Sequence, residues 1–192
     1  MTIVTPKRFT IDDYHRLIEL GFLTEADKVE LIRGELVQMA SKGTPHTVCG
    51  AILCQQLDRL LVDRVVRGQD PITLPDNSEP EPDVVIARGN HLDYLPHHPY
   101  PEDILLVIEI ADSTLRYDQT TKLGLYAEAG ISNYWIVNLN ARQLECYSQP
   151  YQDAQSEYNY LNKQIYLPNQ SVSIPGFNDV LLDLSKIFPE VV

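Results

Sequence analysis

The stretch Ile104-Leu-Leu-Val-Ile-Glu-Ile110 constrains this chain more than any other. A nearly continuous apolar run of this length predicts a central β-strand buried on both faces, and such a strand needs packed layers on either side. One residue breaks the run. In a strand, alternate residues share a face, so Val107, Glu109 and Ala111 point one way while Ile108 and Ile110 point the other. An ionised carboxylate at Glu109 costs on the order of several kcal/mol unless it is paired or bound to metal. Glu109 is therefore either a strand-end glutamate paired with a surface arginine or part of a site.

The surrounding pattern supplies the layers. Thr10-Ile-Asp-Asp13 has the form of a capping box, with Asp in place of the usual Glu, and predicts a helix over Ile11 to Leu20 that stops at Gly21. Val29 to Arg33, Gly34, and Glu35 to Met39 predict a tight hairpin. After a loop from Ser41 to Pro45, apolar residues at helical spacing extend from His46 to Val66. Proline-punctuated chain then leads to a strand over Asp83 to Ala87. Residues His91 to Glu102 suggest a loop. Ser113 or Thr114 can cap a helix over Leu115 to Ala129, closed by Gly130. Strands are expected at Asn133 to Val137 and Gln143 to Tyr147, then a polar loop over Ser148 to Glu157. Shorter strands or turns follow at Tyr158 to Leu167, Val172 to Ile174 and Val180 to Leu184. The order implies an α/β (α+β) fold, a mixed sheet flanked by helices, with an N-terminal helix and β-hairpin. With 192 residues and neither repeat nor linker, one domain over the whole chain is expected.

Composition excludes some classes. No apolar run reaches the roughly 18 residues that a membrane-spanning helix needs. The start, Met1 to Arg8, lacks the apolar stretch of a secretory signal, so a cytoplasmic protein is expected. Three cysteines, Cys49, Cys54 and Cys146, form no CxxC pair and predict buried free thiols. The net charge of −12 argues against loose binding to nucleic acid, where Lys and Arg contacts to phosphate supply most of the affinity. A local basic surface could still draw on Lys42, Arg59, Arg64, Arg67, Arg88 and Arg116. Any phosphate drawn to clustered carboxylates needs a cation to offset them.

Two carboxylates on neighbouring strands make a hard, oxygen-rich site suited to magnesium or manganese. Asp83, delivered by Pro82 to the mouth of its strand, is the candidate partner for Glu109, although strand-start turns also use Asp. Asp118, Lys122 and Tyr126 fall at i, i+4 and i+8 on one helix face. Lys122 could form only a surface pair with Asp118, or its long stem could reach the Glu109 face and orient water or offset phosphate charge. Glu30 alternates away from Leu31, and a solvent-facing hairpin glutamate is one reading of it. His46 opens its helix, where an ordinary surface histidine is one reading and proton transfer or phosphate contact another. His91, His97 and His98 show no metal spacing.

In this order the residues resemble the PD-(D/E)XK nuclease superfamily, and more closely its Uma-type restriction endonuclease family. The matching stretches are Val29-Glu-Leu-Ile-Arg-Gly-Glu-Leu36, Pro-His46, Glu-Pro-Asp83-Val-Val, Val-Ile-Glu109-Ile and Ser113-Thr. The ladder Asp118-x3-Lys122-x3-Tyr126-x3-Gly130-x3-Tyr134-Trp-Ile-Val completes them. Together they span about Thr10 to Tyr147. The resemblance implies a restriction-endonuclease-like fold and hydrolysis of DNA phosphodiester bonds. It implies Mg2+ held by Asp83, Glu109 and the Ile110 carbonyl, with Mn2+ a possible substitute. It also places an acid at Glu30 near the site. The superfamily lysine two residues after the acid is replaced here by Ala111, and the Uma-type pattern supplies it from the next helix as Lys122. A homodimer or higher homo-oligomer is expected by analogy, since two strands suit two sites. The rival expectation is a nuclease fold that binds nucleic acid or assembles without cutting.

Overall fold

The computed structural model describes residues 5–75 and 77–188. Helix α1 (Ile11–Glu19) starts on the reciprocal Thr10–Asp13 capping box. Gly21, at φ +73°, turns the chain out of it. Strands β1 (Val29–Ile32) and β2 (Glu35–Gln38) form an antiparallel hairpin. Its two turn residues, Arg33 and Gly34, both have positive φ, the conformation whose twist matches tight hairpins.

Helix α2 (Thr44–Leu60) is shorter than the periodicity predicts. Val65 and Val66 leave it for β3 (Val65–Gly68), which pairs antiparallel with β4 (Val84–Ala87). Apolar residues at helical spacing ran straight into a β-branched pair, and pairing with β4 decided the boundary. Strand β5 (Ile104–Ala111) is the buried central strand expected.

The next helix is not regular. Helix α3 (Leu115–Tyr117) passes into a π-helical turn, Asp118–Lys122, before α4 (Leu123–Glu128). The Leu123 amide reaches the Asp118 carbonyl, five residues back, and the Tyr134 hydroxyl donates to that same oxygen at 3.1 Å. A π turn inside a helix often marks a functional site. Gly130, at φ +76°, ends the helical segment.

Strands β6 (Asn133–Asn138), β7 (Gln143–Gln152) and β8 (Tyr158–Tyr166) complete a six-stranded sheet of order β3-β4-β5-β6-β7-β8. Only the β5–β6 pair is parallel, and the α3–α4 segment bridges it. Much of the expected loop over Ser148 to Glu157 is strand. Pairing of β7 with β6 ends at Ser148, so beyond it one edge of β7 is open. That edge accepts Pro150 and a polar sequence, which is why the segment resembles a loop. A hairpin of β9 (Ser171–Ile174) and β10 (Phe177–Asp183) follows.

The sheet is covered on both faces. On one, Ile86, Leu106, Ile108, Trp135 and Val137 pack with Leu53 and Leu57 of α2 and with the C-terminal hairpin. On the other, Val85, Val107, Ala111 and Ile136 pack with Leu123 and Tyr126 and with Ile32 of the first hairpin. Each fully buried leucine contributes about 1.5–3 kcal/mol relative to exposure. Cys49 is buried, Cys54 and Cys146 half-buried, and all three are free thiols. Among the described residues, no helix is long and apolar enough to cross a membrane.

Candidate active site

The register of the central strands brings the two acids together. Val84 pairs with Ile108, so one step further along Asp83 stands opposite Glu109. Their contacts confirm the juxtaposition. The Asp83 amide donates to Glu109 Oε2 at 3.3 Å, and the Ile110 amide donates to Asp83 Oδ2 at 2.8 Å. The π turn presents Lys122 to the same place. Its Nζ donates to Glu109 Oε1 at 3.1 Å and to Glu30 Oε2 at 2.9 Å. Tyr126 donates to Glu109 Oε1 at 2.7 Å. The first hairpin thus delivers Glu30, whose Oε2 also accepts the Glu81 amide at 3.2 Å.

Helix α2 adds its first turn. His46 Nε2 lies 3.0 Å from Asp83 Oδ2, and Lys42 Nζ, in the preceding loop, lies 3.3 Å from Asp83 Oδ1. Glu30, His46, Asp83, Glu109, Ile110, Asp118 and Lys122 all line one cleft, joined by Lys42, Glu81 and Tyr117. Asp118 accepts from Thr114 Oγ1 at 2.7 Å.

Charge is crowded here, and burial sharpens it. Burial pushes the Glu109 carboxyl up to about 8, with Lys122 and Tyr126 opposing and the charges of Asp83 and Asp118 adding. Burial also raises Asp118 to about 6 against the pull of Thr114 and Lys122. At Asp83 burial acts upward too, but His46, the Ile110 amide and Lys42 outweigh it and hold the group below its ordinary value. Burial disfavours the Lys122 cation, yet Glu109 and Glu30 prevail and raise it above its usual range.

The five side chains singled out in the sequence, Glu30, His46, Asp83, Glu109 and Lys122, therefore meet in one place. Three bland readings fail. Lys122 is buried on two glutamates rather than forming a surface pair with Asp118. His46 is only 7% exposed. Glu30 is buried rather than facing solvent, at 4% exposure. Of the basic residues flagged earlier, Lys42 reaches the cleft, while Arg64 and Arg67 stack over Phe177 and Tyr94.

The family model described as "Uma2: Putative restriction endonuclease" matches residues 11–185. The chain belongs to the Uma2 family. No curated protein matches the sequence. Among solved structures, the Uma2 chain resembles one described as a putative nuclease belonging to DUF820 from Anabaena variabilis ATCC 29413. That match has a TM-score of 0.69 and 12% identity, over 94% of this chain and 97% of the other, and it shows a shared fold. The type IIG restriction endonuclease BpuSI aligns with a TM-score of 0.39 and 20% identity, over 74% of this chain and 15% of its own, too loose an overlap to carry an argument.

Does this Uma2 site suit a divalent cation? Among the described residues no three His, Cys, Asp or Glu side chains converge as a ready cage. Magnesium does not need one, because it commonly keeps several waters and takes one or two carboxylates plus substrate phosphate. Asp83 and Glu109 give hard oxygen donors side by side, and burial makes the Glu109 carboxylate costly unless a cation beyond Lys122 joins it. The donor set fits.

Glu81, Lys42 and Tyr117 are among the cleft residues that the sequence does not assign to this site. Glu81 had a signal: in the extended run Glu79-Pro-Glu-Pro-Asp83 it alternates with Asp83. Lys42 is a basic loop residue that nothing local ties to Asp83. Tyr117 lies beside Asp118 at the end of α3, with no local mark of the cleft.

Proposed function

We propose that the chain is a metal-dependent endonuclease that hydrolyses DNA phosphodiester bonds. One observation carries this reading: Asp83 and Glu109 stand side by side on adjacent strands, with Lys122 on Glu109, in an open cleft. Asp83, Glu109 and the Ile110 carbonyl would hold Mg2+ or Mn2+. When bound, such a cation supplies Lewis acidity toward phosphoryl oxygens and lowers the pKa of water.

The remaining work falls to the chain's own groups. Lys122, gripped between Glu30 and Glu109, sets a fixed positive charge where an attacking water is oriented or phosphate charge develops. Tyr126 and Lys122 share Glu109 Oε1 and fix the rotamer of that carboxylate. His46 and the Ile110 amide hold Asp83, and His46 would assist proton transfer there.

The test is direct. Purified protein should nick or cut DNA with Mg2+ or Mn2+, and Glu109→Ala should lower the rate by at least about 100-fold. Identical behaviour of the two proteins across varied DNA substrates and metals sinks the reading. The net charge of −12 favours a second reading, a nuclease fold that binds or assembles without cutting. Calorimetric Mn2+ titration separates them: loss of binding in Asp83→Ala supports the enzyme, and no Mn2+ binding in the wild type supports the module. A homodimer in the cytoplasm suits cutting of both strands, and light scattering reads its mass.

A further inference from the structure

Among the described residues, tyrosine hydroxyls turned into the protein commonly have partners. Tyr14 donates to the Val29 carbonyl, Tyr126 to Glu109, Tyr134 to the Asp118 carbonyl, Tyr147 to Glu145 and Tyr160 to the Ile131 carbonyl. The Tyr117 hydroxyl is shut off from solvent and has no hydrogen-bond partner in the protein. A buried hydroxyl left unpaired is destabilising, so an orphan of this kind calls for an acceptor from outside the chain.

Its position says which acceptor. Tyr117 is the last residue of α3, directly before the π turn that delivers Asp118 and Lys122, and it lines the cleft with them. The side chain lines the cleft while its hydroxyl is closed to solvent, so a bound ligand meets that oxygen when the ring turns toward the cleft. We propose that the Tyr117 hydroxyl donates a hydrogen bond to a non-bridging oxygen of the phosphodiester bound in this cleft, as a catalytic residue not assigned by the Lys122–Glu109–Asp83 arrangement. The inference rests on the nuclease reading above. Burial and the negative charge of Glu30 keep the phenol protonated, with its pKa pushed up to about 12, so the group acts as a donor and not as a base. Phosphate oxygen suits such a donor because its charge strengthens the bond, most of all as charge builds in the transition state.

Tyr117→Phe removes the oxygen and nothing else. Cleavage of a short DNA duplex with Mn2+ should fall about 10- to 100-fold, chiefly in kcat. Thermal melting and calorimetric Mn2+ binding should stay at wild-type values, because no bond within the protein is lost. Replacing the contacted oxygen by sulfur, in separated phosphorothioate diastereomers, should slow the wild type and add little to the slowing in Tyr117→Phe. Wild-type kinetics in Tyr117→Phe overturn the proposal while the nuclease reading stands. So does equal slowing of both proteins by both diastereomers, or a loss of activity matched by a lower melting temperature. If the wild type neither cuts the duplex nor binds Mn2+, the nuclease reading falls and this proposal with it.

Discussion

Glu109 is pulled in two directions. Burial and Asp83 favour its protonated form, while Lys122 and Tyr126 favour the carboxylate, and burial wins. The folded-state pKa of about 8 lies above the ordinary value of 4.5. Between those values the folded chain holds a proton that the unfolded chain has released, so this group's contribution to stability declines as pH rises through the window. A cation at the site competes with that same proton. Mn2+ affinity should therefore climb by up to about tenfold per pH unit from pH 6 toward 8 and then level off. Calorimetry on the wild type and Glu109→Gln checks it, and equally steep profiles would detach the effect from this residue. Glu109 was legible in the sequence because a carboxylate inside an apolar strand has few bland explanations. Lys122 was legible mainly through a resemblance, since its distance from Glu109 depends on how a helix is wound. Lys42 and Tyr117 were not legible, because a loop residue and an aromatic beside a helix cap carry no local mark of their tertiary partners.

At the level of elements, the site rests on two local departures from regularity. One is the π turn, which composition does not distinguish from the helix around it; the sequence correctly put Asp118, Lys122 and Tyr126 in one helical segment and missed its winding. The other is the turn at Arg33 and Gly34, which the sequence did mark. Gly34 has φ +77°, and a Cβ there would come within 2.7 Å of Arg8 Cβ and 2.9 Å of the Phe9 carbonyl oxygen. Gly34→Ala should cost about 1–3 kcal/mol and lower Tm by about 2–10 °C. Because this hairpin carries Glu30, cleavage should fall with it. Gly130→Ala is the control: φ is +76° but the space is open, so only the backbone strain remains. Equal Tm losses in the two variants would show that the close approach at Gly34 does not matter. The boundary between α2 and β3 was misjudged for a different reason. Sheet pairing with β4 overrode a helical pattern that ran on past Leu60.

Over the whole molecule, a chain of net charge −12 repels a polyanion, and the buried acids concentrate that repulsion at the cleft. Recruitment of DNA should then depend on the cation more than on basic surface. In EDTA at low salt, the wild type should bind DNA weakly. The double variant Asp83→Asn/Glu109→Gln should bind it more tightly than the wild type while failing to cut in Mn2+. Fluorescence anisotropy reads the affinities, and a weaker double variant would contradict the account. The layered sheet was legible from the apolar central strand, whereas the extent of β7 and β8 was not, because an open edge tolerates the polar residues that also build loops.

The bond between Lys122 and Glu30 joins residues 92 positions apart. Contacts of such separation form only after much of the intervening chain has been organised, and they slow folding. A growing polypeptide therefore presents Glu30, then Asp83, then Glu109, none of them a site alone. The full constellation exists only once Lys122 has been synthesised and the sheet closed around it, so under the nuclease reading the chain has no complete site while it is still being made.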